Sequence, residues 1–185
     1  MTHRRMWGFV VVTALATGLG SSALSAQDKY TVKVPGGLAF SEFKGYESWE
    51  FISLSEANGV VAAIFGNPTM IDAYKKGYPG NGKPIPDGAR MAKVHWNPTK
   101  NQQAPGNPTV AGTLHDVDFM VKDSKRFASS GGWGYAAFNY DNATSTFKPA
   151  TAKDAPPQNN DATCGFACHT VVKSRDYVFT NYAPR

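Results

Sequence analysis

The sequence predicts an α+β domain that is mainly β, an antiparallel sheet with a few helices, one of them near the C-terminus. Two observations carry this expectation. Turn-forming clusters recur about every ten residues, at Pro35-Gly36-Gly37, Gly77 to Gly82, Pro84 to Gly88 and Pro105 to Pro108, which is the punctuation of short strands. Between them, several runs alternate two kinds of side chain with the period of a strand that has two different faces.

Taken in order, Tyr46–Ser53 and Val60–Phe65 are rich in aromatic and β-branched residues, and the second is apolar enough for burial on both faces. They are expected to pair as a hairpin across Leu54 to Gly59. Asn67 to Lys76 has an Asn cap, Pro68 at the first helical position and apolar Met70, Ile71 and Tyr74, so a short helix should close at Gly77. Ala89 to Trp96 sets Ala89, Met91, Lys93 and His95 against Arg90, Ala92, Val94 and Trp96. Leu114 to Lys122 sets His115, Val117, Phe119 and Val121 against Asp116, Asp118, Met120 and Lys122. A further strand is expected over Trp133–Tyr140, after Gly131-Gly132. Asp141 to Asn160 has little apolar pattern and should cross the surface before a C-terminal helix capped by Asp161 or Thr163.

The first residues read as an export signal, with basic His3, Arg4 and Arg5, an apolar run to Leu19 and small residues up to Ala26. Residues 1–26 are therefore expected to be a cleaved signal peptide and 27–185 a single domain in the periplasm. The apolar run is too short to span a bilayer and no second one follows, so no membrane span is expected after cleavage. Without Arg4 and Arg5 the chain keeps 17 basic and 14 acidic side chains, a charge of +3. No basic block or basic helix face stands out, which argues against nucleic acid as a partner.

Both cysteines fall in Cys164-Gly165-Phe166-Ala167-Cys168-His169. Two thiols followed at once by a histidine are the elements of covalent haem attachment, in which the sulfurs add to the porphyrin vinyl groups and the imidazole binds iron. The usual spacer is two residues and here it is three. On a helix, positions three and four apart share a side, so both sulfurs still face one way. A disulfide between the two is the alternative that an oxidising compartment permits, and a zinc site with only two Cys and one His is poorer.

The order Ala92-Lys93-Val94-His95-Trp96, Val117 to Ser124, Gly131-Gly132-Trp133-Gly134-Tyr135-Ala136, the Cys-Gly-Phe-Ala-Cys-His cluster and Asp176-Tyr177-Val178-Phe179-Thr180 resembles the cytochrome P-460 family over nearly all of the chain after the signal. The resemblance implies a mainly antiparallel sheet with helices, one covalent haem c on a helix near the C-terminus, and often a homodimer. It implies Cys164 and Cys168 as thioether donors and His169 as the proximal iron ligand. Members that oxidise hydroxylamine join a lysine to the porphyrin, and Lys93 is the matching position, which makes it a haem-binding and catalytic candidate. A desolvated amine is nucleophilic in its neutral form, whereas a lysine on a half-exposed strand is ordinarily a solvated face residue.

Met70, Met91, Met120, His95 and His115 are available as sixth ligands. None belongs to a second binding motif, so an open distal position is expected, walled by aromatic residues such as Phe40, Phe43, Phe51 and Phe65. Asp116, Asp118 and His115 lie largely on opposite strand faces, so no acid-base pair is evident. The function expected is oxidation of hydroxylamine, or reaction with nitric oxide, at five-coordinate haem iron, with a small c-type cytochrome as electron acceptor. Two alternatives are a haem protein that binds gas or carries electrons without turnover, and a haem-free exported domain with joined cysteines.

Overall fold

A computed structural model describes residues 27–185, and the export-signal reading of residues 1–26 lies outside them. Six strands, β1 (Glu50–Ala57), β2 (Val60–Gly66), β3 (Arg90–Lys100), β4 (Thr109–Lys122), β5 (Trp133–Asp141) and β6 (Thr146–Pro149), form one antiparallel sheet in chain order. Two helices accompany it, α1 (Pro68–Lys75) and α2 (Ala162–His169). The mainly β expectation holds. Among the described residues no helix is long and apolar enough to cross a membrane.

Local chemistry accounts for most boundaries. Asn58 and Gly59 both have positive φ, 53° and 79°, the two-residue turn whose twist matches a hairpin. The β1–β2 turn is therefore tighter than the span Leu54 to Gly59, and Leu54 to Ala57 belong to β1. The expected start of β1 is also corrected, because Tyr46–Ser48 form a 3-10 turn that places Tyr46 in the core. Asn67 caps α1 by accepting from the Met70 amide at 3.0 Å. Pro98 falls where β2 no longer pairs with β3, past Trp96, so this end of β3 is an edge on that side, and a register irregularity on the β4 side also falls between Trp96 and Pro98.

The alternation in β3 and β4 sorts side chains to two covered faces. On one, Ala92, Val94, Val117, Phe119 and Val121 join Phe40, Phe43, Tyr46, Phe138 and Phe147 in an aromatic core under residues 27–49. Phe119 stacks on Phe43, with ring centroids 4.1 Å apart and planes 6° off parallel. On the other, Met91, Trp133, Tyr135 and Ile64 pack against α1, α2 and Tyr177-Val178.

The segment 141–160 does more than cross the surface. It contains β6, four residues whose one buried side chain, Phe147, packs on Tyr140 and Phe40. Too short to show a period, β6 is held by pairing with β5 and by the Gln27 carboxamide, which bonds both the N–H and the C=O of Phe147. Gln158 accepts from the Tyr135 amide, and Asn159 and Asn160 are buried.

Candidate functional site

Helix α2 carries both cysteines and ends at His169. The caps expected at its start are corrected. Asp161 holds the preceding position in a left-handed conformation and makes no side-chain cap, and it is Asp154, across the loop, that accepts from the Thr163 amide and hydroxyl at 2.9 Å each. That carboxylate satisfies a helix N-terminal donor and faces the positive end of the helix dipole. The helix packs on β5 at Gly165, where a Cβ would stand 3.0 Å from the Tyr135 side chain. A small residue between the cysteines is thus a packing requirement.

Cys164 and Cys168 are both exposed and are not joined to each other. Four residues apart on a helix, they face one side, one turn from each other. Asp161 accepts a hydrogen bond from the Cys164 thiol and, with its negative charge, pushes that thiol's pKa up. His169 turns inward, its ring 5.2 Å from Tyr135 and 4.9 Å from Phe179.

The orientation of His169 is set by the chain that follows. Its Nδ1 lies 2.7 Å from the carbonyl oxygen of Tyr177, and a carbonyl only accepts, so Nδ1 carries the proton and Nε2 keeps its lone pair. Burial pushes the His169 pKa down, the Tyr177 bond works against that, and the charge of Lys93 adds to the lowering. A neutral imidazole fixed through Nδ1 is the form that ligates metals.

Tyr177 is held in turn by Asp176, to which no local pattern in the sequence gives a role. Its carboxylate binds Lys122 at 2.7 and 2.9 Å and accepts from the Ile85 amide at 2.6 Å, while its carbonyl accepts from the Trp133 indole at 2.8 Å. Gly131 lies against Tyr177 so closely that a Cβ there would be 2.2 Å from the phenol ring.

A recess of about 130 Å³ lies beside His169, lined by Ile64, Met91, Lys93, Asp118, Met120 and Thr180. It falls below the roughly 300 Å³ of an ordinary small-molecule pocket, so it takes a ligand of few atoms or the edge of a larger group. A larger groove of about 420 Å³, lined by Leu54, Val61, Trp96 and Val110 among others, includes none of these residues. Lys93 thus shares the recess with His169. The aromatic walls do not: Phe40 and Phe43 are in the opposite core, carried there as residues 27–49 cover that face, and Phe65 packs against the same core with Phe51 beside it, on the face that strand alternation gives them. Of the methionines available as sixth ligands, Met91 and Met120 line the recess and Met70, on α1, is wholly buried.

Strand register supplies what alternation alone could not. Lys93 lies opposite Asp118 and His95 opposite Asp116. The expected separation of His115 from the aspartates is corrected, because an irregularity pairs Trp96 with Leu114 and leaves His115 without a partner, its Nδ1 3.0 Å from Asp116 Oδ2. Such an extra residue re-aims a side chain. Burial and the neighbouring Asp116 push Asp118 up to about 6 against the opposing pull of His95 and Lys93. Although protein surrounds Asp118 closely, 49% of its side-chain surface opens to the recess, so solvent moderates that shift. Burial also acts to raise Asp116, but His95 and His115 hold its carboxyl below the usual range.

Residues 43–180, about three quarters of the chain, match the family model of cytochrome P460. The chain belongs to the cytochrome P460 family. Among curated proteins none matches it. Membership of the cytochrome P460 family implies a haem cofactor, and the site meets its needs: two exposed, unjoined thiols on one side of α2 and an imidazole with Nε2 unused. The extra residue between the cysteines lies within the helix, where it lengthens the spacing without turning either sulfur away.

Proposed function

We propose that this chain is an exported, periplasmic cytochrome with one haem c, in which Cys164 and Cys168 are the thioether donors and His169 is the axial ligand. It oxidises hydroxylamine, or reacts with nitric oxide, and delivers electrons to a small c-type cytochrome. The observation that carries the reading is the recess shared by His169, Lys93 and Asp118. When bound, the haem iron supplies a coordination site for a small nitrogen ligand and a path for its electrons.

The chain's own residues do the rest. Tyr177 O fixes the imidazole proton at Nδ1, which orients Nε2 and raises its basicity as a ligand. Asp118, with a pKa near 6, accepts a proton from an N–H or O–H group at neutral pH and can return it, as a general base should. Lys93 lines the same recess and would be the residue to bond the porphyrin, in the manner of the hydroxylamine-oxidising members. Ile64, Met91 and Met120 supply the apolar part of the recess wall.

Expression of the full chain with a c-type maturation system tests this. Colour that survives denaturation, a mass increased by one haem, and loss of both in Cys164→Ser/Cys168→Ser are expected. A Soret band far to the red that returns to an ordinary position in Lys93→Ala supports the lysine bond, and an unchanged spectrum removes Lys93 from the chemistry. Steady turnover of hydroxylamine with an artificial electron acceptor marks an enzyme; covalent haem without turnover leaves a gas-binding or electron-carrying protein. Colourless protein from cells that load other cytochromes overturns the proposal.

A further inference from the structure

Positive charge is unevenly spread over residues 27–185. Residues 73–83 and 170–185 carry six of the seventeen basic side chains, Lys75, Lys76, Lys83, Lys173, Arg175 and Arg185, and one of the fourteen acidic ones, Asp176. Asp176 is turned inward onto Lys122, so it neutralises none of them. Elsewhere acids outnumber bases, thirteen to eleven. The fold brings the two basic segments together. Asp176 accepts from the Ile85 amide at 2.6 Å, the Tyr74 hydroxyl donates to the Thr180 carbonyl at 3.0 Å, and the Tyr74 and Tyr182 rings stack with centroids 5.6 Å apart. A cleft of about 450 Å³ where they meet is lined by Tyr74, Gly77, Tyr78, Gly80, Arg175 and Tyr182. Lys75 and Arg185 meet Glu50. Among the described residues the other four cations have no carboxylate within 4.0 Å. Lys76, Lys83 and Lys173 are exposed, and Arg175 bonds Asn181 Oδ1 at 2.6 Å while its Nε is shut off from solvent without a partner.

We propose that this face is the docking surface for an acidic protein, the electron acceptor of the reading above, on which the inference rests. Its place in the chain fits that role. Arg175 ends the 3-10 stretch that begins straight after His169. That stretch and the residues after it expose Val171 and Phe179, the latter with its ring 4.9 Å from that of His169. Exposed apolar side chains beside solvated charge have the make-up of a protein interface with a polar rim. Unpaired cations of one sign steer an oppositely charged partner towards them and disfavour a partner of like charge. The four cations come from separate turns and not from one basic run or helix face, the pattern of a nucleic-acid or membrane surface. Sequence reading saw no basic block because the two segments are nearly ninety positions apart, joined only by the contacts of Asp176, Tyr74 and Tyr182.

The test is calorimetric titration of the full chain with a small acidic c-type cytochrome, with a basic c-type cytochrome as comparison, at about 20 mM and about 200 mM salt, between which screening becomes strong. Saturable binding of the acidic protein is expected, weaker by roughly tenfold at the higher salt. Lys76→Gln/Lys83→Gln/Lys173→Gln, which removes three exposed cations without carboxylate partners, should weaken binding about tenfold at low salt. Lys33→Gln/Lys125→Gln/Lys153→Gln removes equal charge at exposed lysines of other segments, and should leave affinity within about twofold. No saturable binding, equal losses in the two triple variants, or a basic cytochrome bound as tightly would overturn the proposal. So would binding that depends on these lysines to vesicles of anionic phospholipid but not to the acidic cytochrome. Association needs no haem on this chain, so a colourless chain that still binds strikes the haem reading and keeps the surface, whereas a haem-loaded chain that binds neither cytochrome does the reverse.

Discussion

Replacing Asp176 by Asn tests whether the Lys122–Asp176 pair holds the chain that orients His169. The Lys122 side chain is 5% exposed and that of Asp176 14%. The ammonium lies over the Trp133 ring and has Gly131 O, at 3.0 Å, as its other acceptor. Asn keeps the shape and tolerates the left-handed backbone at this position, where φ is 48°. What it removes is the negative charge. Leaving a buried cation uncompensated costs about 3–5 kcal/mol, a large share of the roughly 5–15 kcal/mol that stabilises a domain. With a urea slope of about 2 kcal/mol/M, the unfolding midpoint should fall by about 2 M. Adding Lys122→Met should recover most of the loss, since a buried pair replaced by apolar groups is close to neutral. A cost for Asp176→Asn under about 1 kcal/mol, the value of a surface pair, or a double variant no better than the single one, would refute the reasoning.

Phe119→Ala, which empties the position between Phe43, Tyr46, Phe40 and Phe138, should cost about 3–5 kcal/mol in denaturant unfolding. Asn67→Ala should cost about 1–2 kcal/mol by the same measurement, because the side chain both caps α1 and accepts from the Arg90 amide. Asp118→Asn should change the pH profile of stability. The folded carboxyl, near 6, keeps its proton to higher pH than the unfolded one, near ~3.9, so its contribution is fully present below about pH 4 and is lost as pH rises through about 6. The variant should therefore gain on the parent between about pH 4 and 7, by a modest amount because the half-open side chain is screened; thermal melts that stay parallel across that range would exclude it. Asp116 acts with the opposite sign. Its lowered pKa gives stability that is present above the ordinary carboxylate range and lost as pH falls, so Asp116→Asn should narrow the difference from the parent in acid.

Much of the site was legible before folding because it depends on near neighbours in the chain. Cys164, Cys168 and His169 declare themselves by spacing, and α1 declares itself by Asn67, Pro68 and Gly77. Period-two alternation put Lys93 and His95 on one face of their strand, and Asp116 and Asp118 on one face of theirs. Strand β6 stayed hidden because four residues with one buried side chain carry no period, and the side taken by Phe40 and Phe43 depends on how residues 27–49 fold back over the sheet.

By itself, then, the chain determined which residues alternate, where turns interrupt them, and that two thiols and an imidazole share a helix, since each of these is decided within a few bonds. The fold alone decided that Lys93 faces Asp118, that an unpaired His115 reaches Asp116, and that Asp176 locks Tyr177 against His169. They rest on register and packing between residues far apart in the chain, Lys93 with Asp118 25 positions on, His95 with Asp116 21 on and Lys122 with Asp176 54 on, and a slip of one residue in register would carry Lys93 and His95 to the other face.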